Sequence, residues 1–357
     1  MSNQTPLYNA HLSAGGKLVE FAGWSLPINY GSQMDEHHAV RTSAGMFDVS
    51  HMTVVDIQGE GAGPYLRRLL ANDVARLKET GQALYGCMLN EQGGVIDDLI
   101  TYFIDRTFYR TVVNAATRAV DLEWMRGQAQ GFAVEITERD DLAMIAVQGP
   151  SAREKVIALL GAKSAESLKP FRATSHGEYF IARTGYTGED GFEVLLPATQ
   201  AEDFWNGLVE AGVQPCGLGA RDSLRLEAGL NLYGQDMDTS TTPLESNLAW
   251  TVAFDPPERD FIGRQALEAQ QAAGVPRQLV GLVLDRGAIP RAGAKVITPA
   301  GEGVVTSGIF SPTIGQPIAL ARIPSGQFDQ VEVELRGRKL PARVARPPFV
   351  RNGEIKI

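Results

Sequence analysis

The stretch Ile181-Ala182-Arg183-Thr184-Gly185-Tyr186-Thr187-Gly188-Glu189-Asp190-Gly191-Phe192-Glu193 sets a tyrosine and three carboxylates among glycines that let backbone come close to a ligand. It reads as a binding edge. If residues 192–196 form a strand, Glu193 lies on the face opposite Phe192 and Val194, where its carboxylate can accept two parallel hydrogen bonds from a flat heterocycle such as a pterin or guanine edge. The simpler reading of the Gly-Glu-Asp-Gly tetrad is an acidic hairpin turn solvated at the surface.

A second constellation is Gly93-Gly94-Val95-Ile96-Asp97-Asp98-Leu99-Ile100, with two carboxylates inside an apolar strand. An ionised side chain there is costly unless it is paired or faces a cavity. Successive strand side chains point to opposite faces, so Asp97 and Asp98 cannot both enter one pocket, and periodicity does not choose between them. One of them, beside a reacting amine, can act as general base and support a developing cation. The alternative is a strand end whose acids bond backbone amides or surface arginines.

A third, Gly217-Leu218-Gly219-Ala220-Arg221-Asp222-Ser223-Leu224-Arg225-Leu226-Glu227, opens a helix with a buried leucine face. Arg221 and Arg225 stand one turn apart, so one side carries two cations. A salt-bridge network with Asp222 and Glu227 competes with a binding role. Tyr233 and Trp250 follow at loop-like positions, with core packing the default and a ring platform for a flat ligand the alternative. His37, His38 and His51 invite a metal, but no pair has the spacing of a zinc helix, so no metal site is expected. Met52 is a candidate pocket wall.

The elements that position these residues show a repeat. Ile57-Gln58-Gly59 followed by Ala62, Leu66, Leu69 and Leu70 recurs as Val147-Gln148-Gly149 followed by Ala152, Val156, Leu159 and Leu160, an offset of 90 residues. Val112-Val113 leading to Ala116, Thr117, Ala119, Asp121 and Leu122 recurs from Val194-Leu195 at an offset of 82. Each copy reads strand, helix, strand, strand, helix, a ferredoxin-like α+β unit with helices on one face of a mainly antiparallel sheet. Gly59, Gly61 and Gly63 lack dinucleotide spacing and mark a tight strand-to-helix turn.

Beyond residue 275 short alternating segments at 279–284, 303–309, 318–323, 331–335 and 342–345 between Gly and Pro turns predict a small β-barrel. Residues 263–272 read as a short connecting helix. The expected division is a body at 1–275, made of two intertwined domains (approximately 1–50 with 140–275, and 51–139), and a barrel at 276–357.

With 357 residues, 44% of them hydrophobic, and a net charge of -9, the chain has ample core material and lacks the basic surface that nucleic acid or anionic lipid requires. Cys87 and Cys216 are its only cysteines, far apart, which fits buried thiols in a reducing compartment. No basic stretch followed by an apolar run opens the chain, and nothing approaches the roughly 20 apolar residues of a membrane span. A cytoplasmic protein is expected.

Taken in order, Phe21-Ala22-Gly23-Trp24, Asp35-Glu36-His37-His38-Ala39-Val40-Arg41, Gly45-Met46-Phe47-Asp48-Val49-Ser50-His51-Met52, the Gly93, Gly185 and Gly219 motifs and Pro347-Pro348-Phe349-Val350-Arg351 closely resemble the aminomethyltransferase family, the T-proteins of glycine cleavage systems. The resemblance spans essentially the whole chain. It implies a three-domain cloverleaf around a tetrahydrofolate pocket. Carried over by motif, Asp98 is the functional aspartate, Glu193 and Tyr186 the pterin-binding pair, Arg221 the pocket arginine, and Met52, Tyr85 and Trp250 pocket walls.

The implied reaction passes an aminomethyl group from the dihydrolipoyl arm of a carrier protein, the H-protein, to tetrahydrofolate, giving 5,10-methylenetetrahydrofolate and ammonia. Folate-dependent demethylation of a small methylated donor is the alternative within the same fold. A non-catalytic folate-binding maintenance protein is the alternative outside enzymology.

Overall fold

The computed structural model describes residues 2–285 and 289–357. The chain forms two compact units, one of Met1–Tyr65, Val74–Leu84 and Leu99–Leu224, the other of Leu66–Asp73, Tyr85–Asp98 and Arg225–Ile357.

The first unit is α+β. One sheet orders its strands Ala173–His176, Tyr179–Ala182, Gly191–Pro197, Leu142–Gln148, Gly45–Asp48 and Gln214–Pro215, antiparallel except for the last pair. Alternation along Gly191–Pro197 decides what each face does. Phe192, Val194 and Leu196 join the core under helices Ala152–Leu160 and Ala201–Glu210, with Val156, Phe204, Trp205 and Leu208. Leu195 faces a second core with Phe47, Ala220 and Leu224, so Glu193 lies on that side, as the strand reading expects.

In the second sheet Val95–Asp105 pairs Phe108–Val113, which pairs Thr53–Gln58, which pairs Glu135–Glu138, all antiparallel. The duplicated turns are real. Gly59 and Gly149 share a φ of 128°, each turning a strand into a helix. A Cβ on Gly59 would lie 2.1 Å from the Ala133 carbonyl oxygen, and one on Gly149 2.5 Å from that of Ser43, so neither position admits a side chain.

The second unit contains a closed six-stranded barrel in the order Arg277–Val283, Gln316–Pro324, Gly301–Ser311, Lys295–Thr298, Gln330–Leu335 and Arg338–Ala345. Its sequence pattern was legible except for Lys295–Thr298. Helix Arg264–Ala273 occupies the expected connector.

The ladder slips between Val305 and Ser307, and around that irregularity Thr306 and Ser307 carry buried hydroxyls. The Thr306 hydroxyl donates to Asp236, whose other oxygen takes 2.7 Å from Arg225, while Arg225 donates 3.0 Å to Ser307. These are partners of Arg225 that helical spacing does not indicate. Glu227 accepts from Ser311, from Thr313 N at 3.0 Å and from Thr313 Oγ1 at 2.8 Å.

Arg225 and Asp236 are almost fully buried, so removing one partner strands a charge, which commonly costs about 3–5 kcal/mol. Asp236→Ala is therefore expected to lower the urea midpoint markedly, followed by tryptophan fluorescence. An unshifted midpoint would mean that the pair adds nothing to stability.

Candidate functional site

The tetrad is wired into the first unit. Asp190 accepts a fork from Arg183, Nε at 2.8 Å and Nη2 at 2.7 Å. Arg41, nearly buried, donates from Nη1 to Glu189 at 2.7 Å and to the Thr187 carbonyl at 2.8 Å. These acids hold the loop's shape, which overturns the solvated-turn reading.

Beneath the loop, the fully buried Gln148 donates from Nε2 to the Thr184 carbonyl at 3.1 Å and accepts from Thr187 Oγ1 at 2.9 Å. Gly185 has to be glycine. A Cβ there would sit 1.9 Å from Gln148 Oε1.

Glu193 stays available. Thr184 Oγ1 donates to its Oε2 at 2.6 Å, and Oε1 has no hydrogen-bond partner among the described residues. Since the Thr184 proton points at the carboxylate, the Tyr102 hydroxyl 3.2 Å from Thr184 Oγ1 donates to it, making a short relay. Burial pushes Glu193 above the usual glutamate range, while Thr184 and the Arg221 charge pull it back.

Arg221 projects from helix Leu218–Glu227 with its Cζ 4.8 Å from the centre of the Tyr186 ring, a cation–π contact. Burial lowers its pKa, while Glu193 raises it, yet among the described residues Arg221 makes no ion pair and its buried Nη1 has no hydrogen-bond partner. Met52 packs on the edge of the second core. The first unit thus brings Glu193, Tyr186 and Arg221 together.

In the second unit, the strand alternation separates the two aspartates. Asp97 is fully buried, while Asp98 is partly exposed and accepts 2.7 Å from the Tyr85 hydroxyl. Trp250 stacks on Tyr85, centroids 5.9 Å apart and 26° between planes. At 65% exposure Trp250 is not core, contrary to the default, so the indole offers an open aromatic face. Tyr233 is the packed ring, its hydroxyl donating to the Val95 carbonyl at 3.1 Å. Hydrogen bonds from Val95 N to Thr241 O at 2.9 Å and from Asn72 Nδ2 to Tyr85 O at 2.8 Å hold the strands that carry Asp98 and Tyr85.

Sequence reasoning missed Thr184, Gln148, Arg41 and His51. Thr184 lies inside the quoted motif, and Gln148 was read only as part of a repeat. Arg41 gave no signal beyond its place in a motif, and His51 was weighed only as a metal ligand. Among the described residues no group of three or more His, Cys, Asp or Glu side chains could hold a metal, and His37 bonds Ser223 Oγ at 2.7 Å. No helix among them is long and apolar enough to cross a membrane.

Residues 7–256 match the family described as GCVT N-terminal domain, and residues 277–351 the glycine cleavage T-protein C-terminal barrel domain. The chain is 56% identical over 362 residues to the aminomethyltransferase of Xanthomonas axonopodis pv. citri (strain 306), covering 99% of this chain and 98% of that one. The crystal structure of the glycine cleavage system aminomethyltransferase T from Bartonella henselae superposes with a TM-score of 0.93 at 36% identity, covering 100% of both chains. Fold and full-length likeness define a group-transfer enzyme. The chain belongs to the glycine cleavage T-protein family, the aminomethyltransferases.

The support of the Tyr186 loop can be tested directly. Gln148→Met keeps the bulk and removes the amide, and is expected to speed hydrogen exchange of amides 184–192 by about tenfold, since each lost buried bond costs roughly 1–3 kcal/mol. Uniform protection at those amides would refute the role of Gln148.

Proposed function

We propose that this aminomethyltransferase uses tetrahydrofolate as acceptor and an aminomethyl-loaded dihydrolipoyl carrier protein as donor. The observation that carries the acceptor assignment is the Glu193 carboxylate, partly buried and held at one oxygen only. The pterin 2-amino group and the neighbouring ring N–H are parallel donors, and a bidentate acceptor fixes both their plane and the direction of N5. By their motifs Tyr186 and Met52 are assigned as walls of the same pocket, and the Arg221 guanidinium lies over the Tyr186 ring.

In the reaction the aminomethyl carbon leaves sulfur and nitrogen and bridges N5 and N10 of tetrahydrofolate. The two protons lost from N5 and N10 are balanced by one gained at the thiolate and one at the departing amine, giving a dithiol arm and ammonia with no oxidation. By its motif, Asp98 is assigned to these proton movements and to stabilising the iminium-like carbon, a role commonly worth about 100- to 10,000-fold.

The Tyr85 hydrogen bond keeps Asp98 oriented, and Trp250 and Tyr85 offer stacked rings to a flat part of a ligand. A demethylase reading has no observation favouring it over this one, and neither has pure folate binding. Two free, buried cysteines accord with a cytoplasmic setting.

Single-turnover formation of methylenetetrahydrofolate from loaded carrier tests the whole reading, and ammonia released without a need for both carrier and folate would reject it. Asp98→Asn should leave folate affinity near normal and slow turnover by about 100-fold or more. Normal turnover would remove Asp98 from the mechanism. Tyr85→Phe keeps the stack on Trp250 and removes the hydrogen bond that orients Asp98, so it should lower kcat with little change in KM. An unchanged kcat would dissociate Tyr85 from Asp98.

Glu193→Ala should weaken tetrahydrofolate binding by calorimetry. Because burial raises its pKa, the wild-type affinity should fall with decreasing pH starting above the range where an exposed glutamate titrates. Affinity independent of both changes would exclude the clamp.

A further inference from the structure

Glu193 accounts for the donors of a pterin edge and leaves its acceptor unaccounted for. Among the buried nitrogens of the first unit that lack hydrogen-bond partners among the described residues are Nη1 of Arg221 and Nδ1 of His51, and the Arg221 charge acts on His51. His51 is 4% exposed.

Its ring is fixed. Phe21 meets it edge to face with centroids 5.8 Å apart and 83° between planes. The turn that carries it is pinned by Ser50 N donating to Asp48 Oδ1 at 2.9 Å and by Met52 N to Val49 O at 3.0 Å. Asp48 in turn is held by Thr5 at 2.6 Å and His11 at 2.8 Å, and Tyr30 lies 2.7 Å from the other His11 nitrogen. Such a wired platform is more than a loop histidine needs.

Burial, aided by the Arg221 charge, pushes His51 down to about 4, so the imidazole is neutral at physiological pH. A neutral imidazole carries one N–H and a guanidinium only donates. With the imidazole proton on Nδ1, the two groups present donors, the polarity opposite to Glu193. Arg221 feels the charge of Glu193 as well, so it links the donor side of the site to the acceptor side. Around one edge a pterin displays the 2-amino group, the ring N–H and then the 4-oxo oxygen, two donors followed by an acceptor.

We propose that His51 is a specificity-determining residue which, with Arg221, holds the 4-oxo oxygen of the pterin beside the donor pair taken by Glu193. The proposal rests on the folate reading above. A buried site that offers donors to an oxygen penalises a ligand that places a donor there, because both groups are then left unpaired.

Calorimetry of the wild-type, His51→Phe and His51→Asn chains with tetrahydrofolate and with its 4-amino analogue, in which a donor replaces the oxo acceptor, separates the possibilities. The wild type should prefer the 4-oxo compound. His51→Phe should weaken that compound by about tenfold, roughly one buried hydrogen bond, and leave the 4-amino compound unchanged or tighter.

His51→Asn retains a short N–H donor and should restore part of the preference, and it serves as the readout should the phenylalanine variant not fold. Equal weakening of both ligands would show a merely structural histidine and overturn the proposal, as would an unchanged preference in both variants. Binding of neither ligand by the wild type would instead overturn the folate reading and this inference with it.

Discussion

A carboxylate and a guanidinium largely withdrawn from water, coupled yet not allowed to neutralise one another, form the constraint on which the first unit depends. Attraction between Glu193 and Arg221 favours collapse into a salt bridge, and burial destabilises the charged form of each while they stay apart. The scaffold has to prevent that collapse. Glu193 sits in a central strand whose cross-strand partners are Ala146 and Ala182, so backbone fixes the carboxylate and the small neighbours leave space around it. Arg221 is drawn onto the Tyr186 ring, which satisfies a cation without consuming its N–H groups.

The loop carrying that tyrosine shows why chemistry could not be read from composition alone. Its three carboxylates have the same functional group and lie within five residues, but two are structural. Glu189 answers Arg41, 148 residues away in sequence, and Asp190 answers Arg183. Only the third is left one-sided. Which acid is which depends on long-range partners, and no local spacing encodes those.

The same division explains what was legible. Alternation along Gly191–Pro197 and Val95–Asp105 put Glu193 opposite the apolar core and separated Asp97 from Asp98, because a period of two is a property of the strand itself. The repeat and five of the six barrel strands were visible for a similar reason, since glycine turns and alternating cores are local. Helical spacing was a weaker guide. It placed Arg221 and Arg225 on one side of a helix but said nothing of what each would meet, and Arg225 proved to be a buried structural cation with Asp236. For Trp250 the core default failed because a large ring is ordinarily core, whereas the pocket wall implied by its motif accords with an exposed, stacked indole.

The duplication adds a reason for the site's place in one copy of the repeat and not the other. Gln58 and Gln148 occupy equivalent ends of equivalent strands, before glycines with the same φ, so backbone geometry alone does not distinguish them. Gln58 is exposed to solvent, whereas Gln148 is buried under Gly185 and spends its amide on the loop that carries Thr184 and Tyr186. A buried amide is costly unless satisfied, so Gln148 is tolerable only together with that loop, and the loop is shaped only together with Gln148. Interlocked requirements of this kind hold a partly unsatisfied cradle in place: Gln148, Arg41 and Arg183 spend their bonds on the loop, while Glu193, Arg221 and His51 keep polar atoms without partners among the described residues.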